Sequence, residues 1–327
     1  MNYLNFEQIY TFDDKYFYNK KLLPESLSIN EYLKYKDDDN YLNNFNIIKR
    51  DEVSLDNIFL FIFNRGIKSG GNYYHFIFHY LQKIIGFFEL KNLKLGIPLN
   101  MLDFQKELLY KLIPKENIIY LDIYRYNYVI NNCYIGKYTS ASNLPLHLLN
   151  KYQNIFNFNN FESKNLIYIR RRNNNNAGKE RIMINENDFI NYLKDKNCSF
   201  FFFEDHNFND KIINLIDLKP KTIIIEIGSG LTNLLFIPKY ILKNIKFIII
   251  DQDNWKLDKS RICNILNILQ INFDIITCKN VTNNKDLFNS PFILNLNDFS
   301  KILLRDVNYY RKSSLRGLWE ASGRQLL

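Results

Sequence analysis

The sequence predicts an α/β fold of two Rossmann-like halves facing a cleft, and three observations carry that prediction. Thr222 to Ile225 is a β-branched apolar run that reads as a buried strand. It passes through Gly228-Ser229-Gly230 into Leu231, Leu234 and Leu235 at helical spacing. Upstream, apolar runs at Ile58 to Phe63, Leu93 to Ile97 and Asn117 to Leu121 alternate with helical patterns, the signature of parallel strands. A second alternation begins at Leu166. Ligands of such sheets sit at the carboxyl ends of the strands, and the polar clusters of this chain fall there.

In order, residues 1–55 read as irregular and polar, with a charged surface run from Lys34 to Asp39. After the strand at Ile58, Asn64-Arg65-Gly66 and Ser69-Gly70-Gly71 lead into a helix from Asn72 to Ile85, which puts His75 and His79 on one face. Met101 to Ile113 is an amphipathic helix, Asn127 to Tyr138 adds strands, and Ala141 to Lys151 is a further helix. Asn and Phe alternate without period over 152–163. The reading therefore divides the chain into 1–152, 153–312 and a tail at 313–327, taken as a tag or a disordered extension.

In the second half, Leu166 to Ile169 is a strand ending in Arg170-Arg171-Arg172, followed by a polar loop from Asn173 to Gly178. Asn185-Glu186 opens a helix reaching Lys196, Ser199 to Phe203 is a strand, and Phe208 to Leu218 is a helix. Beyond the glycine turn come strands at Phe247 to Ile250 and Phe273 to Thr277, with a helix at Ser260 to Leu269 between them. A last helix, Asn297 to Tyr310, is capped by Asn297 or Asp298 and is expected to pack back on the first half.

Composition bounds the function. With 46% hydrophobic and 16% aromatic residues the 327-residue chain must bury a core, and a net charge of +9 suits anionic partners of any size. No apolar run is long enough for a transmembrane helix, and the acidic start is unlike a signal peptide, so a cytoplasmic location is expected. Cys133, Cys198, Cys263 and Cys278 lack metal-ligand spacing and read as buried reduced thiols.

The strand–turn–helix at 222–235 aims backbone N–H groups and a positive helix end at one spot, which suits a phosphate. Its glycines let a ligand approach the backbone. Thr232 and Asn233 can add polar contacts, although Gly-x-Gly is equally a tight connection. Three arginines at a strand end favour anion binding over a solvated basic turn. Asn185-Glu186 is either a ligand contact or a helix cap. Glu226, just before the glycines, is a carboxylate that needs a partner if buried. Asp251-Gln252-Asp253 reads as a strand-end loop or a ribose contact before a metal site.

Four stretches stand in a specific order: Asn72-Tyr73-Tyr74-His75-Phe76, Tyr168-Ile169-Arg170-Arg171, Arg181 with Asn185-Glu186, and Gly228-Ser229-Gly230-Leu231-Thr232-Asn233. They resemble the family 61 glycosyltransferases, which carry an Asn-x-x-His-Phe helix, a Tyr-Ile-Ser-Arg strand end, an Arg-x-x-x-Asn-Glu helix start and a Gly-Ala-Gly-Leu-Thr-Asn loop. The resemblance covers residues 55–240. It implies a GT-B fold and inverting transfer from a nucleotide sugar, UDP the expected nucleotide, to a hydroxyl of a glycan or glycoprotein. It implies no cofactor and no bound metal, and nucleic acid is not an expected partner. Carried over, Arg171 and Arg181 contact the donor diphosphate, Gly228 to Asn233 cradle it, and Asn185, Glu186 and Glu204 are further candidate donor contacts. The chain departs from the family at His79 for Asp, Arg170 for Ser, Lys211 for Gln, and Ile225-Glu226-Ile227 for Gly-Pro-His.

An inverting transfer needs a base for the acceptor hydroxyl, and His75, with His79 or Glu226 in support, is the candidate. Two other classes stay open. Glu226-x-Gly-x-Gly with Asp251 downstream also matches an S-adenosylmethionine-dependent methyltransferase. The departures also leave room for a non-catalytic binding protein on a degenerate transferase fold.

Overall fold

The computed structural model describes residues 3–12, 15–18, 21–22, 50–61, 73–136, 144, 146–159, 161–172, 182–252, 266, 269–281 and 291–304. It divides into two compact units, Met1–Ile155 and Phe156–Leu327. Among the described residues each unit is a sheet of mostly parallel strands with helices, so the fold is mixed α/β.

The first unit holds strands β1 (Tyr3–Phe12), β2 (Lys15–Tyr18), β3 (Lys21–Leu22), β4 (Asp51–Leu60), β5 (Lys94–Pro98), β6 (Ile118–Leu121) and β7 (Tyr126–Gly136). Their order is β3-β2-β1-β7-β4-β5-β6. Strands β7, β4, β5 and β6 run parallel, while β1 lies antiparallel on β7 and carries the β2 hairpin. The start of the chain is thus not irregular. Strand β1 escapes a reading by hydrophobicity because Asn5 and Glu7 are exposed and Leu4 and Phe6 only partly buried. Its order comes from backbone pairing with β7 over Tyr3 to Thr11. In the same way β4 starts at Asp51, with an exposed polar half that β7 pairs. The run from Lys34 to Asp39 lies outside the described residues.

Helix α1 spans 73–89 with changing pitch. An α turn at Tyr73–His75 is followed by a π turn at Phe76–Tyr80, a 3-10 turn at Leu81–Ile84 and a last α segment at Ile85–Glu89. Phe76, Ile77, Phe78, Tyr80, Leu81 and Ile84 are all buried, so packing on every side sets the pitch, beyond what a one-faced helix would allow. One tight approach fixes α1 on the sheet: a Cβ built on Gly136, at the end of β7, would fall on the carbonyl oxygen of Lys83. Gly136→Ala is therefore expected to destabilise by more than the usual overpacking cost of about 1–3 kcal/mol, because rigid backbone has to move. Denaturant titration reads this directly, and a variant as stable as the parent would show that α1 slides freely. Helices α2 (Asp103–Leu112) and α3 (Leu146–Gln153) complete the unit.

The second unit holds β8 (Asn165–Arg170), β9 (Ser199–Phe202), β10 (Pro220–Glu226), β11 (Lys246–Gln252), β12 (Asn272–Asn280) and β13 (Phe292–Ile293), in the order β13-β12-β11-β10-β8-β9. All pair in parallel except β12 with β13. Strands β10 and β11 are central, and their isoleucines are buried on both faces, as a parallel sheet covered by helices requires. One face carries Tyr168, Ile224, Ile248, Ile250 and Ile276 against Phe189 of helix α4 (Glu186–Lys194) and Phe299 of the last helix. Helix α5 (Phe208–Asp217), a 3-10 turn at Ser229–Phe236 and helix α6 (Lys239–Leu242) follow β9 and β10.

The last helix, α7 (Leu296–Leu303), corrects one expectation. Its cap is Asn295, whose side-chain oxygen accepts from Asn297 N and Asp298 N at 3.0 and 3.3 Å. It packs on the second unit's sheet through Phe299, beside Phe189. Residues 305–327, with the tail, lie outside the described residues. Among the described residues no helix is long and apolar enough to cross a membrane.

Candidate functional site

Register brings the carboxyl ends of β8, β10 and β11 to one edge of the second sheet. Ile169 pairs with Ile225, Glu226 pairs with Ile250, and Arg170 pairs with Phe202. Arg170, Arg171, Glu226, Gly228 and Asp251 thus share that edge, where a parallel sheet presents its ligands.

The three arginines separate into two roles. Arg170 gives Nε and Nη2 to Glu186 Oε1 at 3.0 and 2.9 Å, and Arg172 forms a bidentate pair with Asp205 at 2.6 and 2.5 Å. Both guanidiniums also lie against the Phe202 ring, 5.2 and 4.5 Å from its centre. The Arg172 hydrogen bond and charge hold the Asp205 carboxyl below the usual carboxylate range, and Asp205 raises Arg172 in turn. Arg171 is exposed and has no such partner among the described residues. So two of three basic side chains are already neutralised, and one is available to an anion. Arg181 lies outside the described residues.

Asn185 and Glu186 both have partners within the second unit. The Asn185 amide donates to Leu294 O at 2.8 Å and accepts from Leu294 N at 3.1 Å, so it docks the chain before α7 instead of capping α4. Glu186 is the partner of Arg170. Glu204 is exposed in the short turn Phe203–Asp205, close enough to Arg172 to favour its charged form.

The glycine turn departs from expectation in pitch. Ser229–Phe236 is a 3-10 helix, not an α-helix. Every residue from Leu231 to Ile237 is buried, so packing on all sides accompanies the tighter pitch. Within the turn Leu231 N donates to Gly228 O at 3.2 Å. Leu231, Thr232 and Asn233 are nearly fully buried, Thr232 and Asn233 at 2% exposure, and Asn233 donates to Gly230 O at 3.0 Å. These side chains shape the turn, and Gly228 and Gly230 beside them are only partly buried. The nearest atoms to a Cβ on Gly230 would belong to the Phe203 and Ile225 side chains, at ordinary contact distances.

Glu226 finds its partner in Tyr168, whose hydroxyl donates to Oε1 at 3.0 Å. Burial, then the Glu226 and Glu186 carboxylates, raise the Tyr168 phenol well above its ordinary range and keep it a donor. The Cys278 thiol is pushed up to about 12, first by burial and then by Asp251 and Glu226, and burial also raises Cys133 and Cys198. These three cysteines are free, buried, unreactive thiols. Cys263 lies outside the described residues. Asp251 is fully buried within β11. Among the described residues no three His, Cys, Asp or Glu side chains form a metal-binding group. Sequence reasoning missed the role of Arg172, Phe202 and Asp205 as a unit. Their spacing, a strand end followed by an aromatic strand and Glu-Asp, was the available signal.

In the first unit, His75 closes the α turn of α1 and His79 lies in its π turn. Their side chains, like that of Ser229, lie outside what the structure describes.

No curated protein matches the chain. The family model Glycosyltransferase 61 matches residues 73–241, just over half of the chain, from α1 through the glycine turn to α6. The match starts at the His75 helix, which a methyltransferase reading leaves unexplained. The chain belongs to glycosyltransferase family 61 and is a glycosyltransferase.

Proposed function

We propose that the enzyme is of the GT-B type and transfers a sugar, with inversion and without a bound metal, from a UDP-sugar to a hydroxyl of a glycan or glycoprotein. The observation that carries the donor half of this reading is Arg171. It is an uncommitted guanidinium at the edge that also holds the glycine turn, while Arg170 and Arg172 are paired with carboxylates. A departing diphosphate gains charge, and a guanidinium with backbone N–H groups stabilises that charge. Arg181, matched to the family motif, is the second proposed phosphate contact.

The test is a thermal-shift panel of UDP, GDP and CMP, their sugars, and S-adenosylmethionine. A ligand that binds only the native state at about 100 times its dissociation constant stabilises it by about 2.7 kcal/mol. UDP is expected to do so and S-adenosylmethionine is not. Arg171→Ala removes a charge-assisted hydrogen bond worth about 1.5–3 kcal/mol. It is expected to weaken UDP binding by that amount with the fold intact, and Arg181→Ala is expected to act alike. Parental binding in both variants would reduce the basic cluster to surface decoration.

A further inference from the structure

We propose that Arg170 with Glu186 and Arg172 with Asp205 form a brace on Phe202 that positions Arg171 for the donor phosphates, an inference that rests on the donor reading above. Residues one before and one after Arg171 project to the same side of the strand end and lie on the same ring. Each guanidinium is then held at its far end by a carboxylate of a different element. Glu186 belongs to the start of α4, and Asp205 to the turn after β9. Fixing both neighbours fixes the peptide planes on either side of Arg171 and hence the direction in which its side chain leaves the backbone. The carboxylates also remove two competing cations, so a phosphate meets one guanidinium in one place.

Magnitudes separate this role from a stabilising one. The Arg172–Asp205 side chains are 52% and 39% exposed, and those of Arg170–Glu186 are 27% and 24% exposed. Exposed pairs contribute little to global stability. Loss of the brace should therefore leave the melting temperature nearly unchanged while binding suffers.

The test compares UDP affinity in the parent, in Arg171→Ala, in the charge-neutral double variant Arg172→Gln/Asp205→Asn, and in the triple variant, with melting temperature recorded for each. The double variant is expected to bind UDP about tenfold more weakly at an unchanged melting temperature, the scale of one misplaced charge-assisted hydrogen bond. In the Arg171→Ala background the same two changes are expected to cost nothing more. Arg172→Lys, which keeps the charge but not the fork, should recover only part of the loss. Parental affinity in the double variant, while Arg171→Ala binds weakly, overturns the brace and leaves the donor reading standing. A second tenfold loss in the triple variant also overturns it, because the pair then acts independently of Arg171. Parental affinity in Arg171→Ala itself overturns the donor reading instead.

Discussion

Lys246→Ala is expected to lower the stability of the enzyme by about 3–5 kcal/mol, the scale for breaking a buried ion pair by removing one partner. Lys246 opens β11, and its ammonium lies 3.6 Å from the Asp274 carboxylate of β12, with the two side chains 4% and 10% exposed. The same ammonium donates to Ile302 O at 2.6 Å, in the last turn of α7, where a cation also meets the negative end of the helix. Truncation therefore costs twice. It strands a carboxylate in a place with little water, and it frees the end of α7, whose Phe299 packs on Phe189. Replacing both members, as Lys246→Met/Asp274→Leu, removes the stranded charge and is expected to recover much of the loss. Urea denaturation decides the matter. A loss below about 1 kcal/mol for Lys246→Ala would make this an ordinary surface pair.

The legible parts of the fold were those in which burial writes a pattern. Strands such as β10 and β11, apolar on both faces, and the one-faced helices α2 and α5 can be read from residue type alone. Strand β1 and the first half of β4 cannot, because pairing with β7 orders them while Asn5, Glu7, Asp51, Glu52 and Ser54 are exposed. The pitch of α1 and of the glycine turn was equally hidden, since it follows from packing on all sides. In the site, the order of motifs located Arg171 and the glycine turn. It could not say that Arg170 and Arg172 are committed to Glu186 and Asp205, that Asn185 is spent on Leu294, or that Thr232 and Asn233 are buried. The first three depend on partners 16 to 109 residues away in the chain.

His75→Ala is expected to abolish most of the transfer while sparing the donor. The proposed inversion at the sugar requires a base within reach of the acceptor hydroxyl, and such a base contributes about 10²–10⁴-fold. Two residues of the edge described above are poor rivals. Glu186 is held by Arg170, and Glu226 accepts from a Tyr168 phenol that stays protonated. Histidine is the side chain that is neutral, and thus able to take a proton, near pH 7 without special surroundings. His75 sits where the matched region begins, in the first α turn of α1, directly before a π turn, an interruption of pitch often found at functional sites. We therefore expect kcat to fall by about a hundredfold or more in His75→Ala, with UDP affinity and melting temperature near those of the parent. His79→Ala, one turn along, should cost less, as an orienting residue would. His75→Gln, which keeps a hydrogen-bonding group without the basic nitrogen, should be as slow as His75→Ala. Parental turnover in a folded His75→Ala variant that still binds UDP would sink the assignment. The search for the base would then move to Glu226.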